Sequence, residues 1–313
     1  MKIVFVGSGD IGLPSLRLLL GDPRVEVCAL VTQPDRAAGR GLREKPSAIK
    51  ELALTHGLPV LQPARLRDPG PIAEVAALQP DLLVVMAYGQ ILSQALLDVP
   101  PLGCLNLHAS LLPRHRGAAP IHAAILAGDA VSGVTVMWMA AGLDTGDMLL
   151  AEQCGISADE TAGSLHDKLA ELAPVALRAA LAQIREGRAT RVSQDETQAT
   201  YAAKLDRESG RIDWRESAEQ VARKIRALHP WPGSFTDCLF EGGQRSQIKV
   251  HRAAPREGTA PAGELQGTGF LVGCGAGGLV EVIEVQAPGG RRMSADEFLR
   301  GHRVTRVGQA AGG

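Results

Sequence analysis

Asn106 and His108 stand two positions apart in the run Gly103-Cys-Leu-Asn-Leu-His-Ala-Ser-Leu-Leu-Pro-Arg-His-Arg-Gly117, an amide donor beside an imidazole. Further on, Ala140-Ala-Gly-Leu-Asp-Thr-Gly-Asp147 sets the carboxylates of Asp144 and Asp147 among glycines. An amide that donates to a developing oxyanion, an imidazole that moves a proton, and a carboxylate that orients or charges the imidazole suit acyl transfer. Each piece also has a plainer reading, Asn-x-His as a satisfied loop pair and Asp-Thr-Gly-Asp as a turn, and spacing alone leaves both open. Cys104 is a poor nucleophile, with apolar neighbours and no adjoining cation. A zinc site built from His108, His115 and His122 fails, because spacings of seven are not the i, i+4 pattern of a helical metal pair. No metal is expected.

These side chains need elements to hold them. In a strand, Cys104, Asn106 and His108 project to one side and Leu105 and Leu107 to the other. A strand's carboxyl end is where ligands bind in open α/β sheets. The Asp144 loop leaves the end of a later apolar run, so Asn106, His108 and Asp144 are expected from neighbouring strand ends. Short apolar runs at Lys2–Val6, Val25–Val31, Asp81–Met86, Cys104–Leu107 and Val134–Met139 alternate with helical patterns at Leu13–Leu20, Ser47–His56, Pro71–Leu78 and Ala119–Ala127. Such alternation predicts an α/β fold, a Rossmann-like, doubly wound, mostly parallel sheet covered on both faces. A long Ala/Leu-rich helix follows over Thr161–Gly187, then a polar stretch, Arg188–Asp206, without a period. Beyond it come a helix at Ser217–Leu228 and short strand-like runs at Gln247–Arg252, Gly269–Gly273 and Leu279–Val285, punctuated by Gly and Pro as in a small antiparallel barrel. The expected division is a catalytic domain over 1–188, a linker over 189–206 and a smaller β-barrel domain over 207–313.

Composition bounds the function classes. With 313 residues the chain exceeds the ~100–200 of one domain. Its 45% hydrophobic residues supply cores and exclude a largely disordered protein. The net charge of −1 offers no global basic field, but it is an average: residues 1–206 carry 18 basic and 22 acidic side chains, and residues 207–313 carry 15 and 12. The smaller domain is the basic one. Only ten aromatic side chains argue against a base-stacking single-strand binder. The five cysteines are scattered and never form C-x-x-C, which fits a reducing cytosol rather than a disulfide framework. No run reaches the ~18 apolar residues that span a bilayer. The expectation is a cytoplasmic monomer without a membrane partner.

Gly7-Ser-Gly-Asp-Ile-Gly12, between a strand and a helix, has the form of a dinucleotide fingerprint. Its acidic partner would be Asp35, which lies beyond Pro34 in a basic loop, and Asp10 sets a negative charge where phosphates would sit. The other reading is a tight strand-to-helix turn of any doubly wound fold, and an NAD-dependent oxidoreductase is the competing function class.

Asn106-x-His108-x-Ser110-Leu-Leu-Pro113, with Arg116-Gly117 and the Leu143-Asp-Thr-Gly-Asp147 loop, resembles the signature of folate-dependent formyltransferases. The longer run Ser110–Ile121, together with Gly142–Asp147, is similar to the branch of that family that formylates methionyl-tRNA. Thr32-Gln-Pro-Asp-Arg36, Gly39-Arg-Gly41, Ala87-Tyr-Gly89 and His229-Pro-Trp-Pro232 agree, and the resemblance covers nearly the whole chain. It implies a Rossmann-like domain binding 10-formyltetrahydrofolate and a C-terminal OB-like barrel that helps hold initiator methionyl-tRNA. Under it Asn106, His108 and Asp144 are the catalytic set. The folate site takes Ser110, Leu111, Leu112 and Pro113, with Met86, Tyr88, Gly89, Ile91, Leu92, Ala140, Gly142 and Leu143 as pterin-pocket backbone and walls. The basic loop with Arg36, Arg40, Arg43 and Lys45 meets the acceptor end of tRNA. Glu44 interrupts the charge of that loop, and His229 stands where the family usually has Asn. A formyltransferase acting on a sugar nucleotide or other small amine would share the same three catalytic residues.

Overall fold

Ile3-Val-Phe-Val6, an unbroken β-branched and aromatic run, forms the middle of β1 (Lys2–Gly7) in a computed structural model that describes residues 1–38 and 43–308. Such runs belong at the centre of a parallel sheet with both faces covered. The chain continues through α1 (Leu13–Gly21), β2 (Glu26–Val31), a ribbon of β3 (Arg36–Ala38) and β4 (Arg43–Lys45), α2 (Ala48–Thr55) and β5 (Val60–Leu61). It returns through α3 (Pro69–Ala77) to β6 (Leu82–Met86), then through α4 (Gln94–Leu97) to β7 (Cys104–His108). β8 (Arg116–Gly117), α5 (Pro120–Ala127), β9 (Val131–Trp138), β10 (Met148–Gly155), α6 (Ala162–Arg185) and β11 (Tyr201–Ala202) follow.

Two compact units result. The first holds Met1–Pro120, Val131–Gly155 and His166–Ala203, and the second holds Ile121–Ala130, Ile156–Leu165 and the chain from Lys204 onward. The first is built on a sheet of order β10-β9-β7-β6-β1-β2-β5. The five strands β5, β2, β1, β6 and β7 are parallel, whereas β9 runs antiparallel to β7 and β10 antiparallel to β9. Strand order reverses at β1 and β6, so the crevice beyond their carboxyl ends is the natural ligand position. Val4, Val6, Leu83, Val85 and Cys104 pack one face of this sheet against Leu66, Val75 and Leu96.

The Gly7–Gly12 turn is absorbed by this packing. A Cβ on Gly7 would lie 2.6 Å from the Met86 carbonyl oxygen. The Ser8 hydroxyl accepts from the Gln33 amide at 2.9 Å and meets the Thr32 hydroxyl at 3.1 Å. Asp35 is ion-paired with Lys50 and accepts from the Gln62 amide at 3.0 Å. The acid that a ribose would need is therefore engaged at the root of the basic loop.

In the second unit, α7 (Ala218–Ala227) precedes β12 (Ser234–Phe240), β13 (Arg245–Arg256), β14 (Leu265–Gln266), β15 (Leu271–Gly273), β16 (Leu279–Gln286), β17 (Arg292–Ser294), α8 (Ala295–Gly301) and β18 (Val304–Val307). The sheet β14-β15-β16-β13-β12-β18 is antiparallel throughout. Its edges meet where Glu264 bridges Arg306 and the Val307 amide donates to Gly263 O at 2.9 Å, closing a barrel. Val221 and Ile225 of α7 and Phe298 of α8 join Val250, Val282 and Phe270 in its core. Ser217 caps α7 reciprocally: its hydroxyl accepts from the Gln220 amide, and the Gln220 side chain accepts from the Ser217 amide. Ser217→Ala removes this box and is expected to cost about 1 kcal/mol. Urea unfolding followed by tryptophan fluorescence checks this, with the m-value unchanged.

Candidate active site

β7 lies between β6 and β9, and all five of its residues are buried. Side-chain alternation puts Asn106 and His108 on the same face, 9% and 5% exposed. Asp144 reaches them by an unexpected route. Because β9 is antiparallel to β7, its carboxyl end pairs Trp138 with Leu105, near the start of β7. The 139–147 loop must double back over the Asn106/His108 face to deliver its carboxylate. Asp144 makes the turn with a left-handed φ of 52°. Gly146 is needed two residues on, since a Cβ there would drive into the Trp138 carbonyl oxygen.

Asn106 Nδ2 donates to Asp144 Oδ1 at 3.3 Å, and the Gly117 amide donates to Oδ2 at 2.8 Å. His108 Nδ1 faces Oδ2 at 3.6 Å, too far for a direct hydrogen bond. On the other side of the ring, Nε2 lies 3.0 Å from the His115 carbonyl oxygen. A carbonyl only accepts, so Nε2 carries the hydrogen and Nδ1 is the nitrogen turned toward the carboxylate. Amide, imidazole and carboxylate thus converge. Cys104, on the same face, is not a nucleophile: burial, with Asp98 adding to it, pushes its thiol up to about 12.

The polar stretch after α6 supports this site. Val192 exchanges backbone hydrogen bonds with Met148, and Arg191 stacks over the Trp138 ring at 4.4 Å. Gln194 Nε2 donates to the Asp144 carbonyl at 2.8 Å and to the Gly146 carbonyl at 2.7 Å. Its Oε1 accepts from Arg116 Nε and Nη2 at 3.0 and 2.7 Å. Arg116, fully buried, forks onto Glu196 at 2.9 and 2.8 Å. That pairing raises the guanidinium's pKa and holds the Glu196 carboxyl below the usual range. Thr200 Oγ1 accepts from the His115 amide at 2.8 Å, and β11 pairs in parallel with β8. Gly117 permits that approach, with φ 115° and an added Cβ only 2.7 Å from Ala202 O.

Residues 1–181 match the family profile described as Formyl transferase, and residues 204–303 match Formyl transferase, C-terminal domain. The chain belongs to the formyl transferase family. Methionyl-tRNA formyltransferase from Pseudomonas fluorescens is 48% identical over 306 residues, covering 97% of this chain and 94% of the relative. The protein of the same name from Marinobacter nauticus is 46% identical, covering 96% of each chain. The fold is also that of the N-formyltransferase from Helicobacter canadensis, solved with folinic acid and dTDP-3-aminofucose: TM-score 0.68 at 15% identity, over 90% of this chain and 98% of that one. HypX from Aquifex aeolicus with tetrahydrofolic acid shares it with a TM-score of 0.60 at 19% identity, over 96% of this chain and 47% of that one.

Around Asn106, His108 and Asp144, the remaining candidates fall into two groups. The Ser110 hydroxyl is buried and donates to Arg114 O at 2.7 Å, while its carbonyl accepts from Thr135 Oγ1 at 2.7 Å. Met86, Leu112, Tyr88 and Leu92 are buried, the last two packed among Val4, Val6 and Val85. Leu111 and Pro113 are half-buried, whereas Gly89, Ile91, Ala140, Gly142 and Leu143 are exposed. The exposed residues are open to solvent, and the buried ones are packed inside the protein. In the basic loop, Arg36 pairs with Lys45 and Ala38 with Arg43 in the ribbon register, and Arg40 lies outside the described residues. Among the described residues no group of His, Cys, Asp and Glu could hold a metal, and no helix is long and apolar enough to cross a membrane. Gln194 carries no motif. The polar stretch that holds it, Arg188–Asp206, has no period and reads in the sequence only as a linker.

Proposed function

We propose that this enzyme transfers the formyl group of 10-formyltetrahydrofolate to the α-amino group of methionyl-initiator tRNA, acting as a cytoplasmic monomer. The observation that carries this reading is the convergence of Asn106, His108 and Asp144 on one face of β7 in a chain that matches methionyl-tRNA formyltransferases along nearly its whole length. The nucleophile is the neutral α-amine, whose ordinary pKa is about 7.7–8.0. It attacks the formyl carbon, and the carbonyl oxygen becomes an oxyanion. Asn106 donates its second N–H to that oxygen, and His108 donates through Nδ1 when the ring is doubly protonated, since Nε2–H is already held by His115 O. Asp144, through a water, takes the proton from the attacking amine and passes it to N10. The carbon–N10 bond breaks, leaving tetrahydrofolate and the formylated amine.

The exposure of Gly89, Ile91, Ala140, Gly142 and Leu143 leaves room for a flat ring system to lie against them. By sequence, the basic loop with Arg36, Arg40, Arg43 and Lys45 carries the positive charge that a tRNA acceptor end requires. The direct test is labelled 10-formyltetrahydrofolate with methionyl-initiator tRNA, with deacylated tRNA and free methionine as controls. Label recovered on the aminoacyl group only with charged tRNA is the expected result. If Arg40 neutralises one phosphate, Arg40→Ala shallows the slope of log affinity against log salt by about one. A variant with wild-type slope and activity removes the loop from the reaction.

A further inference from the structure

The geometry points to Gln194 as a positioning residue that sets the Asp144 carboxylate through its backbone, an inference that rests on the formyl-transfer reading above. Its amide cannot flip without loss. Oε1 sits in the fork of Arg116, whose Nε and Nη2 only donate, so Nε2 is forced toward the catalytic loop. There it bridges two carbonyls, Asp144 O and Gly146 O, across the turn in which Asp144 adopts its left-handed conformation. Arg116 is fixed in turn by the bidentate Glu196 and by burial. The residue after Arg116 is Gly117, whose amide donates to Asp144 Oδ2.

Glu196, Arg116 and Gln194 therefore grip Asp144 at two points, its carbonyl from one side and its carboxylate from the other. The catalytic loop doubles back against the strand direction and has no ladder of its own to hold it, so its register is supplied by this clamp. Three residues from the polar stretch complete the arrangement: Thr200 holds the His115 amide, and with it the carbonyl that fixes His108, while Gln194 and Glu196 hold the Asp144 side.

Gln194→Glu is the informative variant, because it keeps an acceptor for Arg116 while replacing the NH2, with both its donors, by one oxygen that repels the Asp144 and Gly146 carbonyls. The Gly117 amide reports on the carboxylate without any substrate. Its hydrogen exchange in the free protein is expected to accelerate by about tenfold or more relative to core amides. In formylation assays kcat is expected to fall by about 10–100-fold with the KM for the formyl donor unchanged. In an Asp144→Asn background the same substitution is expected to add less than about threefold, because its effect travels through the carboxylate.

Wild-type Gly117 exchange with wild-type kcat overturns the inference. So does a kcat loss that is undiminished in the Asp144→Asn background, or an acceleration shared by every amide, which marks plain destabilisation. A wild-type enzyme that leaves methionyl-tRNA unformylated overturns the substrate reading alone, and the exchange measurement still decides the role of Gln194.

Discussion

Asn106→Ala is expected to lower kcat by about 10²–10³. The KM for the formyl donor should stay nearly constant. The side-chain NH2 has two hydrogens, and one is committed to Asp144 Oδ1 at 3.3 Å. The other is free to meet an oxygen that becomes strongly basic only once the amine has added to the formyl carbon. A donor aimed at charge that exists only in the transition state contributes to kcat and kcat/KM alike and little to ground-state binding. Its preorganisation is structural: Asn106 is nearly buried in the middle of the β7 pairing with β6 and β9, so the amide does not have to be ordered at the moment of reaction. Single-turnover formylation at saturating donor, with the donor's binding measured separately, separates the two parameters. An Asn106→Ala variant with unchanged kcat removes the amide from the oxyanion site.

What could be seen in the sequence followed the physics that writes a pattern into it. The first-unit strands β1, β2, β6, β7 and β9 are apolar runs because both their faces are covered, and α6 shows the period of a helix with one packed stripe, Leu165, Leu169, Ala173, Ala176 and Ala180. Strand direction leaves no such mark. β9 was legible as a strand, but its antiparallel sense was not, so Asp144 was expected from a neighbouring strand end and instead arrives from the opposite end by a doubled-back loop. β10, at the sheet edge, alternates half-exposed residues and carries Glu152 and Gln153, which hid it. The stretch 189–203 was illegible for a different reason. It attaches by hydrogen bonds from Gln194, Thr200 and main-chain groups rather than by an apolar face, and such contacts have no period. Asn106, His108 and Asp144 were readable as candidates, whereas the side chains that hold the Asp144 loop are polar ones that resemble a spacer.

Asp144→Asn is expected to lower kcat by about 10²–10⁴ through loss of proton transfer and of the charge facing His108. The fold should survive. Both carboxylate oxygens are addressed by donors, Oδ1 by Asn106 Nδ2 and Oδ2 by the Gly117 amide, with His108 Nδ1 turned toward Oδ2. A side-chain amide has one acceptor oxygen. If that oxygen keeps the 2.8 Å bond to Gly117, its NH2 confronts the NH2 of Asn106, two donors with nothing to accept. Asn106 must then turn away, so one substitution disables two members of the site. Asn106→Ala in the Asp144→Asn background should therefore add far less than it costs alone, as expected for groups that act as a unit. Rates measured for the four proteins of this cycle, with melting curves to confirm that each is folded, decide the matter. Losses that multiply in full would mean that amide and carboxylate act independently, and the Asn106–Asp144 contact would then be incidental to formyl transfer.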